Sequence, residues 1–252
     1  MIKFFRKIRK KLIEQGKTVN YLKYAIGEII LVVIGILIAL QINNWNEQKK
    51  LKQQEITSYC KIQEDLTVDI SNIDKTLLSL SKRQNIAKRL LINLLKIQED
   101  KSILLKDYIP AVRSLYFIPS KAAISDITSS GKLENLKNQN LKSAILNFYV
   151  EQDYLLNIIE GNNQRLKLKD IHNNETDFGY QELPLYENIY GDELKQLLKS
   201  TDWQKDATNT IFINLKDYLN ASIIVCEREK DVLNAIRKSS IELKKQLTPF
   251  CK

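Results

Sequence analysis

Glycine and proline are scarce in this chain, 7 and 4 among 252 residues. An all-β domain needs a turn signal roughly every 8 to 12 residues, which so few breakers cannot supply, so sandwiches and barrels are excluded. Gly-rich phosphate-binding loops fail for the same reason. There is one histidine, His172. The Ser-His, Cys-His and multi-His zinc arrangements therefore cannot be assembled within one chain, and no metal or cofactor is expected. His172 lies in the polar run 169–175 and reads as a solvated loop residue. What fills the sequence instead is Leu, Ile, Lys, Asn, Gln and Glu, a composition of long helices.

The net charge of +9 suggests nucleic acid until it is divided along the chain. Residues 1–23 hold eight bases (Lys3, Arg6, Lys7, Arg9, Lys10, Lys11, Lys17, Lys23) against Glu14, a local excess of +7. The other 229 residues carry 31 bases and 29 acids. A nearly neutral body has no field to draw in phosphate backbones, so nucleic acid is not expected as a partner.

Directly after the basic segment comes the one long apolar stretch, with Ile29 to Leu40 an unbroken run of 12 residues. As a helix, Tyr24 to Asn44 would rise about 31 Å, the thickness of a bilayer core. Lys23, Tyr24 and Trp45 stand where interfacial anchors belong, with Tyr21 beside them. The bases lie on the N-terminal flank, so the positive-inside rule predicts residues 1–22 in the cytoplasm, 23–45 as a single transmembrane helix and 46–252 outside. A cleaved signal peptide is the competing reading. It fits less well, because the charged leader exceeds 20 residues and Ala39-Leu-Gln-Ile-Asn43 is a poor cleavage site. Within the leader, Phe4, Phe5, Ile8, Leu12 and Ile13 recur at helical spacing opposite the bases, a pattern that suits either a helix lying on an anionic leaflet or simple topology control.

The block from Tyr24 through Glu47, preceded by Phe4-Phe5-Arg6-Lys7-Ile8-Arg9, resembles the N-terminal signature of an uncharacterised family, a domain of unknown function, of single-pass envelope membrane proteins of Gram-negative bacteria. Ile124-Ser-Asp-Ile-Thr-Ser-Ser-Gly-Lys-Leu133, leading into Leu141 to Tyr149, is similar to the family's second recurring block. The resemblance implies an inner-membrane anchor carrying a periplasmic helical domain, and brings no activity with it.

Beyond the apolar stretch the periodicity is helical. Ile56, Ile70, Leu77 and Leu91 form one heptad row, interrupted by Gln63 and Gln84. Tyr59, Leu66, Ile73, Leu80, Ala87 and Leu94 form another, and two such rows are the seams of a bundle or coiled coil. No Gly or Pro lies between Asn43 and Gln54, so the membrane helix is expected to continue into this one. Pro110 and Pro119 should break a short helix; Ser120 is a candidate cap for the next, with Gly131 as its left-handed stop. A helix from Leu141 to Leu166, a break near Gly161, an irregular 173–191, a short helix 192–200 and a last helix capped by Thr201 or Asp202 and stopped by Pro249 complete an all-α, elongated up-and-down bundle.

Two features carry specific hypotheses. Glu28, Gly35 and Ala39 share one face of the apolar helix, and the small-xxx-small pair could seat a neighbouring helix, from a second copy or another envelope membrane protein. Cys60, Cys226 and Cys251 have no CxxC spacing; Cys226 falls on an apolar stripe, and Cys251 would approach Cys60 if the last helix descends alongside the first. Acidic pairs such as Glu64-Asp65 read as solvated surface. The expected function is a non-enzymatic, membrane-anchored scaffold or interaction module of the cell envelope, with the lipid bilayer as one partner. A periplasmic ligand-sensing bundle signalling through a partner is the first alternative. A hydrolase of envelope polymers is the second, and no paired-carboxylate cleft supports it.

Overall fold

The computed structural model describes residues 18–114, 116–167 and 175–251. The basic segment 1–17 and His172 lie outside the described residues. The chain divides into two compact units, Met1–Ile56 and Thr57–Lys252. All regular elements among the described residues are helical.

Helix α1 runs from Thr18 to Leu95 without a break. Its first unit is apolar and uncovered: from Ile29 to Leu40 the large aliphatic side chains are 47–64% exposed. It is long and apolar enough to cross a membrane.

The second unit begins with the rest of α1, which ends as Ile97 enters a left-handed conformation (φ 50°) and the chain reverses. Helix α2 (Ser102–Val112) follows, its first turn held by Asp100 Oδ1 accepting from the Ser102 N–H at 2.8 Å. Pro110 sits in the last turn of α2 instead of ending it. After α3 (Ala122–Ser129), Gly131 adopts φ 73° and turns the chain, as its spacing suggested. Helix α4 (Gln139–Lys167) passes through Gly161 unbroken, where the sequence predicts a bend. A helical turn at Glu175–Phe178 and the short α5 (Glu187–Leu197), interrupted by a kink at Gly191 (φ 65°), lead to α6 (Thr210–Leu247). Neither Thr201 nor Asp202 caps α6. Asn209 does, its Oδ1 accepting from the Ile211 N–H at 2.8 Å.

Cross-links fix the register. Gln63 donates to Thr248 at 2.9 Å, Arg237 to Asp74 at 2.7 Å and Gln84 to the Ile223 carbonyl at 3.0 Å, so α6 runs antiparallel to α1. Helix α4 runs parallel to α1, since Ile145 packs with Tyr59 to Leu66 while Leu166 packs with Ala87 to Leu94. The descent between them is largely non-helical in its described residues, 113–114 and 116–121, and places Phe117 in the middle of the bundle, next to Ile73, Leu80 and Ile159. One predicted seam of α1 is fully buried: Tyr59, Leu66, Ile73, Leu80, Ala87 and Leu94 are at most 1% exposed. The other is not the row through Ile56 and Leu77, which is half-buried apart from Gln84. Its place is taken by Ile62, Asp69, Thr76, Arg83 and Leu90, and of these only Thr76 is not fully buried.

Candidate functional site

Three apolar clusters succeed one another along the second unit. The first joins Tyr59, Ile62 and Leu66 to α3, to the start of α4 and to Leu243 and Leu247. The middle one holds Ile73, Leu80, Phe117, Ile159, Leu233 and Ile236. The third gathers Ala87, Leu90 and Leu94 with α2, Trp203 and the start of α6. Charged and polar residues are buried at both boundaries, and these are the residues that composition alone assigns to the surface.

At the first boundary, Asp69 is 1% exposed and Oδ1 accepts from the Ser120 N–H at 2.7 Å. Asp65, one turn earlier on α1, accepts from the Ala123 N–H at 2.9 Å. Asp65 thereby serves an amide in the first turn of α3, whose own flanking residue Lys121 makes no side-chain cap, while Asp69 holds Ser120 just before the helix, so the Ser120 cap expected from sequence is replaced by an acceptor from another helix. Burial raises the Asp69 pKa, opposed by hydrogen bonds from Ser120 and Gln152. The Tyr149 phenol is likewise raised, by burial first and then by Asp65 and Asp69.

At the second boundary, Arg83 of α1 is 2% exposed and Glu229 of α6 is 1% exposed. Arg83 Nε donates to the Ala111 carbonyl at 3.1 Å, tying α2 to α1. Asn163 of α4 approaches Glu229, and Ser222 lies one to two turns away on α6. Arg83 Nη1 and Nη2, both amide atoms of Asn163 and Glu229 Oε1 lack a hydrogen-bond partner among the described residues. Cys226 packs beside this layer fully buried with a free thiol, whose pKa burial raises.

Two further ties close the unit. Cys60 and Cys251 form a disulfide, with Cα atoms 5.3 Å apart, joining α1 to the end of the chain across 191 residues. Lys101, 8% exposed, pairs with Glu182 Oε2 at 3.2 Å and donates to Ser200 Oγ and to the Thr201 carbonyl. With three acceptors around its Nζ, Lys101 fastens the loops that meet there. Gly179 stands against it at φ 100°; a Cβ there would meet Lys101 Nζ and Ser200 Cβ, each at 3.3 Å.

The sequence-derived contact face lies in the first unit. Gly35 and Ala39 are exposed there, and a Cβ on Gly35 would meet nothing within 4 Å. Ala25, Glu28, Ile29 and Val32 line a shallow depression one to two turns before them. The expected anchors Lys23, Tyr24 and Trp45 are exposed. Among the described residues no group of three His, Cys, Asp or Glu side chains is placed to hold a metal ion.

Residues 28–191, 164 of the 252, match a family of unknown function, DUF6090. The chain belongs to that family. The match takes in nearly all of the apolar stretch, the first sequence block from Glu28 on but not Phe4–Arg9, the whole of the second block, and Arg83 and Asn163. It ends before α6, so Glu229 and Cys251 lie beyond it. Neither curated proteins nor solved structures give a significant match.

Proposed function

We propose that this protein is a membrane-anchored helical module of the cell envelope that works by binding, with residues 1–22 cytoplasmic, 23–45 crossing the inner membrane and the helical unit outside. The observation that carries this reading is the first part of α1. Its aliphatic side chains from Ile29 to Leu40 stay about half exposed on every face, an amount of apolar surface that water does not tolerate and lipid does. Anchors at both ends and the basic flank give the orientation. The disulfide supports it from the other side, because such bonds persist in oxidising compartments outside the cytoplasm.

Binding is assigned to helix faces. Within the membrane, the Glu28, Gly35 and Ala39 face would pack against a second copy or another envelope protein, since close backbone approach at small residues is how helices associate in lipid. Among the described residues nothing occupies the space beside Gly35, so the readout of bulk added there is contact with a partner. Gly35→Ile with Ala39→Ile, in the full chain in membranes, should sharply reduce the yield of crosslinked dimer or hetero-complex while leaving the Cys60–Cys251 bond intact on a non-reducing gel. An unaltered crosslinking yield rejects that face.

A further inference from the structure

We propose that the buried layer of Arg83, Asn163 and Glu229 is a proton-binding switch in the core: Glu229 takes up a proton while the unit stays folded, and its charge state sets how firmly α6 is held against α1 and α4. The proposal stands on the layer's geometry and is independent of where the chain resides.

Three helices converge on the layer, and it sits between two apolar clusters, so neither charge reaches water. Glu229 Oε1 receives no hydrogen bond from the described residues, which leaves an ionised carboxylate poorly solvated. The Asn163 carboxamide beside it has an acceptor, Oδ1, without a partner among the described residues, and a donor, Nδ2, that makes no well-formed hydrogen bond but lies near enough to favour the ionised carboxylate. A protonated Glu229 gains an O–H that Oδ1 can accept, whereas an ionised one can use only Nδ2. One carboxamide thus serves both protonation states, by offering either its oxygen or its nitrogen.

The surroundings set where the switch operates. Arg83 is the charge facing Glu229 from α1, and α4 contributes only neutral Asn163. On α6, Tyr218 and Cys226 lie within electrostatic reach. Lys230 is turned away, bonded to Gln84 and Glu227. Burial dominates and pushes the Glu229 carboxyl up to about 7, with Arg83 and then Asn163 pulling it down. The same group free of the fold has the ordinary value of 4.5. Between those two values the folded state holds a proton that the unfolded state releases, so the contribution of Glu229 to stability grows as pH falls from 7 toward 4.5 and is lost as pH rises through 7.

The test uses the full chain in detergent, with urea unfolding followed at pH 7.5 and 5.5 for the wild type and Glu229→Gln. Asp69 shares the sign of the effect, so the readout is the difference between the two proteins. The wild-type unfolding constant should fall on the order of twentyfold more than that of Glu229→Gln over this interval. Arg83→Met removes the opposing cation and should move the wild-type transition to higher pH. Parallel pH dependence in wild type and Glu229→Gln overturns the proposal. Should Glu229→Gln fail to fold, carboxyl-carbon NMR of the labelled wild type decides: a carboxyl resonance titrating near neutral pH supports the switch, and none titrating above about 5.5 contradicts it.

Discussion

Helix α1 contains two regions that reverse the usual placement of side chains. From Ile29 to Leu40 it exposes aliphatic residues on every face, and from Tyr59 to Leu94 it buries Asp69 and Arg83 at less than 3% exposure. Among the described residues no protein surface covers the first region, and the second has more packing surface than apolar side chains fill. On the proposed reading, a single helix meets two solvents, a lipid one for its first part and a protein one for its second. Hydropathy detects the former easily and misreads the latter, because a buried charge has the same letter as an exposed one.

The largest effect should come from cutting apolar volume in the two regions. Leu80→Ala, in the middle cluster at 1% exposure, should cost about 2–5 kcal/mol in urea unfolding. Leu37→Ala, 58% exposed, should leave the unfolding of the second unit unchanged. Equal losses would end the distinction between the regions. Breaking the Cys60–Cys251 bond with Cys251→Ser should cost about 2–5 kcal/mol, since the closed loop spans 191 residues. The substitution should also abolish the mobility difference between reduced and non-reduced gels.

Smaller, and aimed at the buried charges, is Asp69→Ala. It deprives the Ser120 N–H of its acceptor and should cost about 1–3 kcal/mol, with faster hydrogen exchange at Ser120, just before α3. Glu64→Ala, exposed on the same helix, should change neither quantity, and comparable effects from both would mean that Asp69 is no more than surface. Smallest of all is Arg89→Ala. It breaks a bidentate pair with Asp107 at 2.6 Å, but Arg89 is largely solvated, so the urea-unfolding midpoint should barely move.

Much of this fold is legible in the residues. The scarcity of Gly and Pro points to helices, the heptad row through Tyr59 and Leu94 is a buried seam, and the positive φ of Gly131 follows from its place after Ser130. The second seam is not legible. Its row contains Asp69 and Arg83, and a periodicity search discards rows broken by charge, preferring Ile56 and Leu77. The acceptors at the start of α3 were hidden for a related reason: Asp65, which holds an amide of its first turn, and Asp69, which holds Ser120 before it, lie more than 50 residues away, whereas capping rules look within a few positions. The Arg83, Asn163 and Glu229 layer had one faint signal, the polar interruption of otherwise apolar stripes on three helices at matching heights. That signal becomes readable only once the register of α1, α4 and α6 is known.

Protease treatment of spheroplasts made from cells expressing the full chain tests the central claim most directly, with a C-terminal tag followed on blots. Exposure of the helical unit outside the inner membrane requires that the tag be lost in intact spheroplasts while a cytoplasmic control survives. Survival of the tag until the membrane is permeabilised would place the unit in the cytoplasm and contradict the account.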